Sequence, residues 1–440
     1  MKKNIPEIAV QVPEILVPKT GVDLHKWAVI ACDQFTSEPD YWHAVEAEVG
    51  DSPSTLHLIL PEVYLGQPDE QVRQQQVVAA MREYLSGGIF SSIDHFIFVE
   101  RTVGGKIRRG LMAALDLEKY DFKPGSTSLI RASEGTIIDR LPPRIIIRQQ
   151  ALIESPHILV LIDDPQKTVI EPLVSLKDQL LPVYNFDLMQ GSGHLSGYQV
   201  SQPAIESRII SALENLADPK LFTQKYALEA GAPVLLFAVG DGNHSLATAK
   251  SVWEKLKPSV GMDHPARFAL VEIENIHDEG LEFEPIHRLL FGVHQDVRPA
   301  LQAFYPGQVS FTPCSSAEDL LQEISKSSST CHNIGLVSPS GFELLQIKAP
   351  RANLAVGSLQ SFLDHWTQSG AADKIDYIHG NDVVFKLGSQ PGQIGFILPA
   401  MAKQDLFTTI ILDGVLPRKA FSMGEAHEKR FYLECRKIVA

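Results

Sequence analysis

The sequence predicts an α/β protein, and two observations carry this prediction. Segments with helical periodicity alternate with short apolar runs along the chain, a pattern typical of helices packed on a sheet. The chain has 440 residues, 44% of them hydrophobic, so it can bury a substantial core and form more than one domain. Because the alternation restarts near residue 292, we expect a first domain at 1–292 and a smaller C-terminal α/β region at 293–440.

The segment after Pro68 predicts a helix with one buried face. Its sequence, "DEQVRQQQVVAAMREYLSGG", places Val78, Met81 and Leu85 at helical spacing. The pair of glycines that closes it is typical of a helix C-terminus. We therefore expect this helix to end at the glycines and to bury the three apolar side chains.

Two strands joined by a tight turn are predicted next. In "HFIFVERTVGGKIRRGLMAALDL", Gly104 and Gly105 separate two apolar runs, and a two-residue hairpin turn needs positive φ at its central residues. Lys106, Arg108 and Arg109 follow the turn. A charge cluster at a hairpin tip is usually a solubilising face, so we expect these side chains near solvent rather than on a phosphate.

A strand, a loop and a helix are predicted around residues 233–257. The run "PVLLFAV" is typical of a buried strand, and "SLATAKSVWEKLK" carries an apolar stripe at helical spacing, formed by Leu246, Ala249, Val252, Trp253 and Leu256. The loop between them reads "GDGNHS" and spans residues 240–245. Two glycines, an aspartate, an asparagine and a histidine thus stand where a strand passes into a helix.

The second half of the chain repeats the alternation on a smaller scale. "VRPALQAFYPG" is typical of a helix, "QVSFTP" of an extended segment and "SAEDLLQEIS" of a second helix. The polar stretch "KSSST" then precedes another apolar run. These signals predict the smaller C-terminal α/β region.

Composition and charge exclude several classes of function. Lys and Arg total 39 against 53 Asp and Glu, a formal net charge of −14, which argues against a nucleic-acid partner. No uncharged apolar stretch approaches the roughly 20 residues of a membrane-spanning helix, and the first residues lack the apolar core of a signal peptide. The four cysteines are scattered, so neither a structural zinc site nor a disulfide framework is indicated. We expect a cytoplasmic protein without a membrane or nucleic-acid partner.

The loop at residues 240–245 has the chemistry of a phosphate site. Backbone N–H groups at a helix start, reached through glycines that let the chain approach a ligand, bind anions without a basic side chain. Asp241 can hold Mg²⁺ or accept a proton, and Asn243 and His244 can donate hydrogen bonds. The alternative is a structural junction, in which Asp or Asn caps the helix and glycine makes the turn.

Two further stretches combine acidic, hydroxyl and basic groups. "RASEGTIIDRLPPR" contains Glu134, Thr136, Asp139, Arg140 and Arg144 around turn-forming prolines. "LEFEPIHRLLF" places Glu284, His287 and Arg288 around a proline before an apolar run. Each has a structural alternative: surface ion pairs around a proline turn in the first, and a helix-start cap with a hydrogen-bonded histidine in the second.

The order of these motifs resembles one family. Glu-x-Thr at 134–136, Asp-Gly-x-His at 241–244 and Pro-x-His-Arg at 285–288, with a late "LPRKAFSM", resemble the bacterial and archaeal domain-of-unknown-function family 1015 over nearly the whole chain. That family is similar to the ParB/sulfiredoxin superfamily and is often labelled free-serine-kinase-like. The resemblance implies a ParB/sulfiredoxin-like core with a mixed sheet.

The resemblance also implies a nucleotide site at the Asp241 loop. In the superfamily a loop at a helix start holds nucleotide phosphates, and in the serine-kinase members its aspartate serves phosphoryl transfer. The positions of this sequence that match the loop are Asp241, Gly242, His244 and Ser245. Combining the resemblance with the chemistry of the other stretches, we expect catalytic roles for Asp241, Glu134 and His244, with Asp241 and Glu134 also holding Mg²⁺. The residues expected to contact ATP or ADP are Gly240, Gly242, Asn243, Ser245, Thr136, Arg144, His287 and Arg288.

The sequence departs from the family pattern at several of these places. Ser245 stands where many relatives carry an arginine, so Arg144 or Arg288 would have to supply the positive charge. Asp33 alone matches an N-terminal Pro-Tyr-Asp pattern, and Lys419 remains from a late pattern of lysine and hydroxyl residues. Sulfiredoxin chemistry is excluded, because it needs a cysteine in the loop where this chain has asparagine. Chromosome partitioning is disfavoured by the acidic charge and the lack of a basic recognition helix.

Three hypotheses of function follow from the sequence. The first is a phosphotransferase that uses Mg²⁺ and a nucleotide to act on a small hydroxyl metabolite, with free serine the acceptor implied by the resemblance. The second is a non-catalytic nucleotide-binding sensor or assembly module of the ParB-like superfamily, which the serine at the loop arginine's place favours. The third is a structural junction that binds no nucleotide. The oligomeric state stays open.

Overall fold

The computed structural model describes residues 3–136 and 141–440. The predicted α/β class with a mixed sheet is confirmed. The chain forms two compact units, one comprising residues 1–282 and 424–440 and the other residues 283–423. The first unit thus takes up the chain again after residue 423, and the sequence-based boundary near residue 292 stays a prediction. Asp139 and Arg140 lie outside the described residues.

An eleven-stranded mixed sheet forms the centre of the first unit. In the order given next, neighbours among the first five strands are antiparallel. Leu159–Ile162 is parallel to Phe268–Asn275 and antiparallel to Phe237–Asp241, and the last three strands are parallel. In order across the sheet, the strands are Leu181–Asp187, His194–Gln199, Ile97–Val103, Lys106–Asp116, Phe268–Asn275, Leu159–Ile162, Phe237–Asp241, Ile130–Ala132 and Tyr120–Asp121, with Asn4–Ile5 and Val10–Gln11 attached beside Lys106–Asp116.

Helices and three short ribbons cover this sheet. The helices of the first unit are Leu24–Trp27, Pro39–Val49, Glu70–Ser86, Leu141–Gln150, Pro172–Ser175, Pro203–Leu216, Pro219–Lys225 and Asn243–Val260. Single 3-10 turns occur at Thr55–Leu58, Glu62–Tyr64, Leu117–Lys119, Lys177–Gln179, Pro265–Arg267 and Ala426–Glu428. The two-stranded ribbons pair Ile15–Pro18 with Phe90–Ile93, Val29–Ile30 with Phe431–Tyr432, and Ile153–Glu154 with Arg436–Lys437.

Both faces of the large sheet are buried. Along Ile97–Val103, Phe98 packs into one apolar core while Ile97 and Val99 pack into the other, as the alternation of side chains along a strand requires. The first core includes Trp253 and the helix Asn243–Val260, and the second is closed partly by the C-terminal residues. A sheet covered on both faces accepts apolar residues at nearly every position.

The predicted helix and hairpin are confirmed, with one correction. The helix runs Glu70–Ser86 and buries Val78 and Met81, and the strands Ile97–Val103 and Lys106–Asp116 join at two glycines with positive φ. The expectation that Arg108 lies near solvent was wrong. Arg108 is 6% exposed and its Nε lies 2.8 Å from the Oε1 of Glu274, because the hairpin strand continues into the centre of the sheet.

A network of buried charges crosses the second core. Glu272 and Glu274 lie on the fully buried strand Phe268–Asn275. Arg430 forms an ion pair with Glu272 (Nε to Oε2, 2.6 Å), and burial together with the neighbouring acidic side chains raises the pKa of Glu274 to about 8 despite Arg108. Gly110 faces this network, and a Cβ at that position would overlap the Glu272 carboxylate. The strand therefore carries two carboxylates that need partners from elsewhere in the unit.

The second unit is built on a six-stranded antiparallel sheet. Its strands, in order across the sheet, are Val309–Cys314, Gly341–Lys348, Cys331–Ser338, Gln393–Ile397, His287–Phe291 and Lys374–Ile378. Its helices are Val297–Phe304, Ala317–Ile324, Ala355–Gln368, Asn381–Gly388 and Asp405–Leu412, and a ribbon pairs Phe283–Pro285 with Phe421–Met423. Among the described helices of the whole chain, none is long and apolar enough to cross a membrane.

The stretch "LEFEPIHRLLF" forms two strands rather than a helix start. Phe283–Pro285 lies in the short ribbon, where a proline is tolerated, and His287–Phe291 is an inner strand of the six-stranded sheet. Its apolar run is therefore buried on a sheet, and the alternative of a helix-start cap was wrong. The prolines of "RLPPR" likewise lie in the first turn of the helix Leu141–Gln150, where proline fits, instead of forming a turn.

The raised pKa of Glu274 predicts that stability falls as the pH rises. The native carboxyl binds its proton up to about pH 8, whereas the unfolded one releases it near pH 4.5, so the native state holds more protons between these values. We expect the midpoint of thermal unfolding to fall by a few degrees from pH 6 to pH 9, and Glu274→Gln to reduce this slope. Glu279→Gln, at a side chain that is 90% exposed, is the control. Equal slopes in wild type and Glu274→Gln would contradict this assignment.

Candidate functional site

The loop at residues 240–245 is a strand-to-helix junction with an open helix start. The strand ends at Asp241, Gly242 adopts φ 76° and ψ 26°, and the helix begins at Asn243. No side chain of the described residues caps this helix, and backbone N–H groups at a helix start are the groups that bind anions in many proteins. Glycine is required at 242 by the left-handed backbone and by space, because a Cβ would lie 3.0 Å from the Cα of Ile158.

Asp241 is held as a carboxylate at this junction. Its Oδ2 lies 3.1 Å from the Nζ of Lys429, and its Oδ1 accepts the backbone N–H of Gly242 at 2.8 Å. Burial acts to raise the pKa of Asp241, but Lys429 and the nearby His157 outweigh it, and the net shift is downward. Asp241 is therefore ionised at neutral pH beside a lysine that is 12% exposed.

The segment with Glu134 and Thr136 meets the same junction. The strand Ile130–Ala132 runs parallel to Phe237–Asp241, so the carboxyl ends of both strands lie at one edge of the sheet. Ser133 follows directly, and its backbone N–H donates to Oδ1 of Asn243 at 3.3 Å. The hydroxyl of Thr136 is buried without a hydrogen-bond partner in the described part of the chain. Such a group is normally hydrogen-bonded, so the Thr136 hydroxyl is a candidate to contact a bound ligand.

A cavity of about 170 Å³ lies beside the helix start. Its lining includes the apolar side chains of Leu58, Leu60, Leu65, Met81, Ile147 and Ile153, which we call the apolar wall. It also includes the polar side chains of Glu62, Arg144, His157, Ser245, Thr248 and Tyr432, which we call the polar wall. A cavity lined by both kinds of side chain suits a ligand that combines an apolar ring with polar groups.

Arg144 and Glu62 form an ion pair in the polar wall. The helix Leu141–Gln150 carries Arg144 and packs on the helix Asn243–Val260, and the Arg144 guanidinium contacts the Glu62 carboxylate. Burial raises the pKa of Glu62, an effect that Arg144 opposes. About a quarter of the Arg144 side chain stays exposed (23%), and Arg144 is one of the residues that line the cavity.

His157 connects Ser245 to the C-terminal segment. Its Nε2 lies 3.2 Å from Oγ of Ser245 and 3.9 Å from Oδ2 of Asp33, and its Nδ1 lies 2.6 Å from the hydroxyl of Tyr432. Tyr432 also donates to the sulfur of Cys32 at 3.1 Å. Burial raises the pKa of Cys32 to about 12, so its thiol is protonated at neutral pH.

The structure brings together part of the predicted site. Gly240, Asp241, Gly242, Asn243, His244 and Ser245 lie at the junction, Glu134 and Thr136 follow the neighbouring strand, and Arg144 lines the cavity. His244 is not among the residues that line the cavity. Its carbonyl accepts a hydrogen bond at 2.7 Å from the hydroxyl of Thr248, which does line the cavity.

His287 and Arg288 belong to the second unit, where both are almost fully buried. Nδ1 of His287 accepts the Leu398 N–H, and burial lowers the pKa of His287 to about 4. Arg288 donates to Gln360 at 2.9 Å and to the carbonyl of Lys419 at 3.0 Å. These contacts give both residues a structural role in that unit, and their part in nucleotide binding stays a prediction.

Sequence reasoning missed three residues of the site. His157, Lys429 and Tyr432 meet the junction from segments far away along the chain. The late family pattern in the sequence led to Lys419, which lies in the second unit. The lysine that contacts Asp241 is Lys429, ten residues later. A lysine in the charged run "EAHEKR" carries no local signal of such a contact.

Gly242→Ala tests the junction geometry. We expect it to cost about 1–2 kcal/mol of unfolding free energy for the left-handed backbone, and more for the contact with Ile158. Gly66→Ala is the matched control, because Gly66 has the same φ of 76° and no described atom lies within 4 Å of the position that its Cβ would take. Urea unfolding of both variants measures the difference. Equal losses would show that close approach to Ile158 is not a constraint.

A double-mutant cycle on Asp241→Asn and Lys429→Met tests the ion pair. We expect a coupling of about 1 kcal/mol at pH 7, larger than the few tenths of the exposed pair Lys326–Glu323. Because the native pKa of Asp241 is lowered, this stabilisation is present above the unfolded value of 3.8 and is lost as the pH falls through the native value. A coupling that does not change between pH 7 and pH 3 would contradict the assignment.

Comparison with known proteins places the chain in a family. Residues 16–366 match the family described as "Protein of unknown function (DUF1015)". A search among curated proteins found no match. Solved structures similar to the chain include a free serine kinase mutant in complex with ADP (11% identity, 77% of this chain and 95% of that chain, TM-score 0.39). They also include a conserved hypothetical protein from Pyrococcus furiosus (13%, 73% and 90%, 0.34) and SbnI with a C-terminal truncation from Staphylococcus aureus (10%, 71% and 82%, 0.36). Because the family match spans most of its length, the chain belongs to the DUF1015 family.

Proposed function

We propose that this protein is a nucleotide-dependent phosphotransferase that acts on a small hydroxyl metabolite. The observation that carries the proposal is the uncapped helix start at Gly242, with an ionised Asp241 and Lys429 beside it and a half-apolar cavity adjoining it. Phosphoryl transfer depends mainly on positioning and charge neutralisation, and this junction offers both. Free serine is the acceptor that the family resemblance suggests.

Each group has a role in this proposal. The apolar wall holds the nucleotide base, and the backbone N–H groups of residues 243–245 bind phosphate oxygens. Arg144 and Lys429 neutralise the charge of the phosphates, which is the role of the loop arginine in many relatives. Asp241 or Glu134 accepts the proton of the acceptor hydroxyl, and Asn243 and His244 donate hydrogen bonds.

Mg²⁺ fits this site only together with the nucleotide. Within residues 3–136 and 141–440, no group of three or more His, Cys, Asp or Glu side chains is arranged to hold a metal ion alone. Mg²⁺ in phosphotransferases uses one or two carboxylates with water and substrate phosphates, so in this proposal Asp241, at the end of one strand, and Glu134, after the neighbouring parallel strand, would hold the ion together with the phosphates. The ion would neutralise charge on the transferred group.

Thermal unfolding with ATP, ADP, CTP and GTP, with and without Mg²⁺, tests nucleotide binding. A nucleotide at about 100 times its dissociation constant should stabilise the native state by about 2.7 kcal/mol. We expect Asp241→Asn and Arg144→Gln to weaken the shift, while Arg208→Gln, at an exposed arginine of the helix Pro203–Leu216, leaves it unchanged. If no nucleotide shifts the midpoint of thermal unfolding, the junction has a structural role and nucleotide binding is contradicted.

Turnover distinguishes the phosphotransferase from a sensor. We expect the protein to consume a nucleoside triphosphate when serine or another hydroxyl amino acid is added, with phosphorylated product detected by mass spectrometry. Tight binding of a nucleotide that stays intact after long incubation with such acceptors would instead favour the non-catalytic nucleotide-binding module.

A further inference from the structure

Ser245 and His157 form a hydrogen-bonded pair of a hydroxyl and an imidazole. The proposed function gives neither side chain a role. Oγ of Ser245 lies 3.2 Å from Nε2 of His157, and both side chains line the cavity. Ser245 keeps part of its surface exposed, whereas His157 is 7% exposed and so has a fixed orientation. A serine hydroxyl bonded to a histidine whose second nitrogen is also held is the arrangement by which proteins activate serine.

The second nitrogen of His157 is held by Tyr432. The Tyr432 hydroxyl gives its one proton to the sulfur of Cys32 and accepts the backbone N–H of Cys32 at 3.3 Å. With the Tyr432 proton directed to Cys32, Nδ1 of His157, 2.6 Å from the same hydroxyl, donates in that contact. Nε2 is then the unprotonated nitrogen, and it faces Ser245 as a proton acceptor.

The surroundings of Ser245 fit an anionic group on its oxygen. Ser245 is the third residue of the helix Asn243–Val260, which has no side-chain cap, and the helix dipole favours negative charge at this end. Arg144 lines the same cavity and adds a guanidinium. A phosphate at the N-terminus of a helix beside an arginine is stabilised by both.

We propose that Ser245 is a covalent phosphoryl acceptor, activated by His157 and positioned through Tyr432. The proposal rests on the proposed function for its donor, a nucleoside triphosphate. The bond from Oγ to the terminal phosphorus forms as the bond from that phosphorus to the bridging oxygen breaks. The hydroxyl proton moves to Nε2 of His157, and the nucleoside diphosphate leaves with the bonding electrons.

The second half of the reaction restores the protein. The hydroxyl oxygen of the small acceptor attacks the phosphorus carried by Oγ of Ser245 and loses its own proton to Asp241 or to solvent. Oγ of Ser245 leaves with the electron pair of the broken bond and takes back the proton from His157. The scheme predicts a stable covalent form of the protein when the acceptor is withheld.

The first test uses diisopropyl fluorophosphate, which reports serine activation without a nucleotide. Attack by Oγ forms an O–P bond and expels fluoride, while the proton moves to His157. We expect intact mass and peptide mapping to show one adduct, on Ser245, with labelling slowed roughly 100-fold or more in His157→Gln. Ser251→Ala, on the same helix outside the cavity wall, should label like the wild type. Lack of an adduct at Ser245 would overturn the activation by His157.

The second test uses a nucleoside triphosphate labelled on its terminal phosphate. We expect acid-stable label on Ser245 without acceptor, its loss in Ser245→Ala, and its release when acceptor is added. If acceptor-dependent turnover persists unchanged in Ser245→Ala, the covalent route is overturned and the proposed function stands. If the fluorophosphate adduct forms but the protein neither binds nor consumes any nucleotide, the proposed function fails and phosphoryl transfer to Ser245 fails with it. Mapping on the wild-type protein decides the question even if a variant does not fold.

Discussion

The buried ion pairs of Arg430 determine how the first unit is completed. Arg430 contacts Glu272 through Nε at 2.6 Å and Glu434 through Nη2 at 2.6 Å, and all three side chains are almost fully buried. Breaking a buried pair by removing one partner typically costs about 3–5 kcal/mol, because the remaining charge stays in the core. The C-terminal segment must therefore dock against the central strand to provide the partner of Glu272.

Docking of that segment also creates the candidate site. Lys429 precedes Arg430 and reaches Asp241, while Tyr432 follows it and reaches His157. Farther along, Arg436 holds the buried Glu154, with Nε to Oε1 at 2.8 Å. The backbone contributes as well, since residues 16 and 435 exchange two N–H to carbonyl bonds. The position of the site residues is thus a consequence of core packing, which gives them the rigidity that positioning requires.

Local patterns in the sequence were sufficient for some elements. The helix Glu70–Ser86, the hairpin at Gly104 and the passage from strand to helix at Gly242 depend on periodicity and on glycine conformations, which short windows of sequence contain. Phe268–Asn275 shows where such windows fail. Its alternating glutamates are typical of a strand with one solvated face, yet both faces are buried because arginines from distant segments contact these side chains.

The candidate site also combines residues with a local sequence signal and residues without one. The residues of the loop were predicted because glycine, aspartate and histidine stand together at a helix start. His157 and Lys429 were not, because their contacts join segments that no spacing rule connects. For the stretch around His287, which was predicted to contact the nucleotide, the structural alternative was a helix-start cap, because proline and histidine before an apolar run look alike in a helix start and in a buried strand.

The return of the chain to the first unit at residue 424 sets an order for folding during synthesis. Glu272 and Asp241 leave the ribosome before residues 283–423 are made, whereas their partners Arg430 and Lys429 emerge only afterwards. The second unit, which is continuous in sequence, has all its strands before then. Multidomain chains usually fold from the N-terminus onward during translation. In this nascent chain residues 283–423 are all made before residues 424–440, so the second unit is complete in sequence before the first one is.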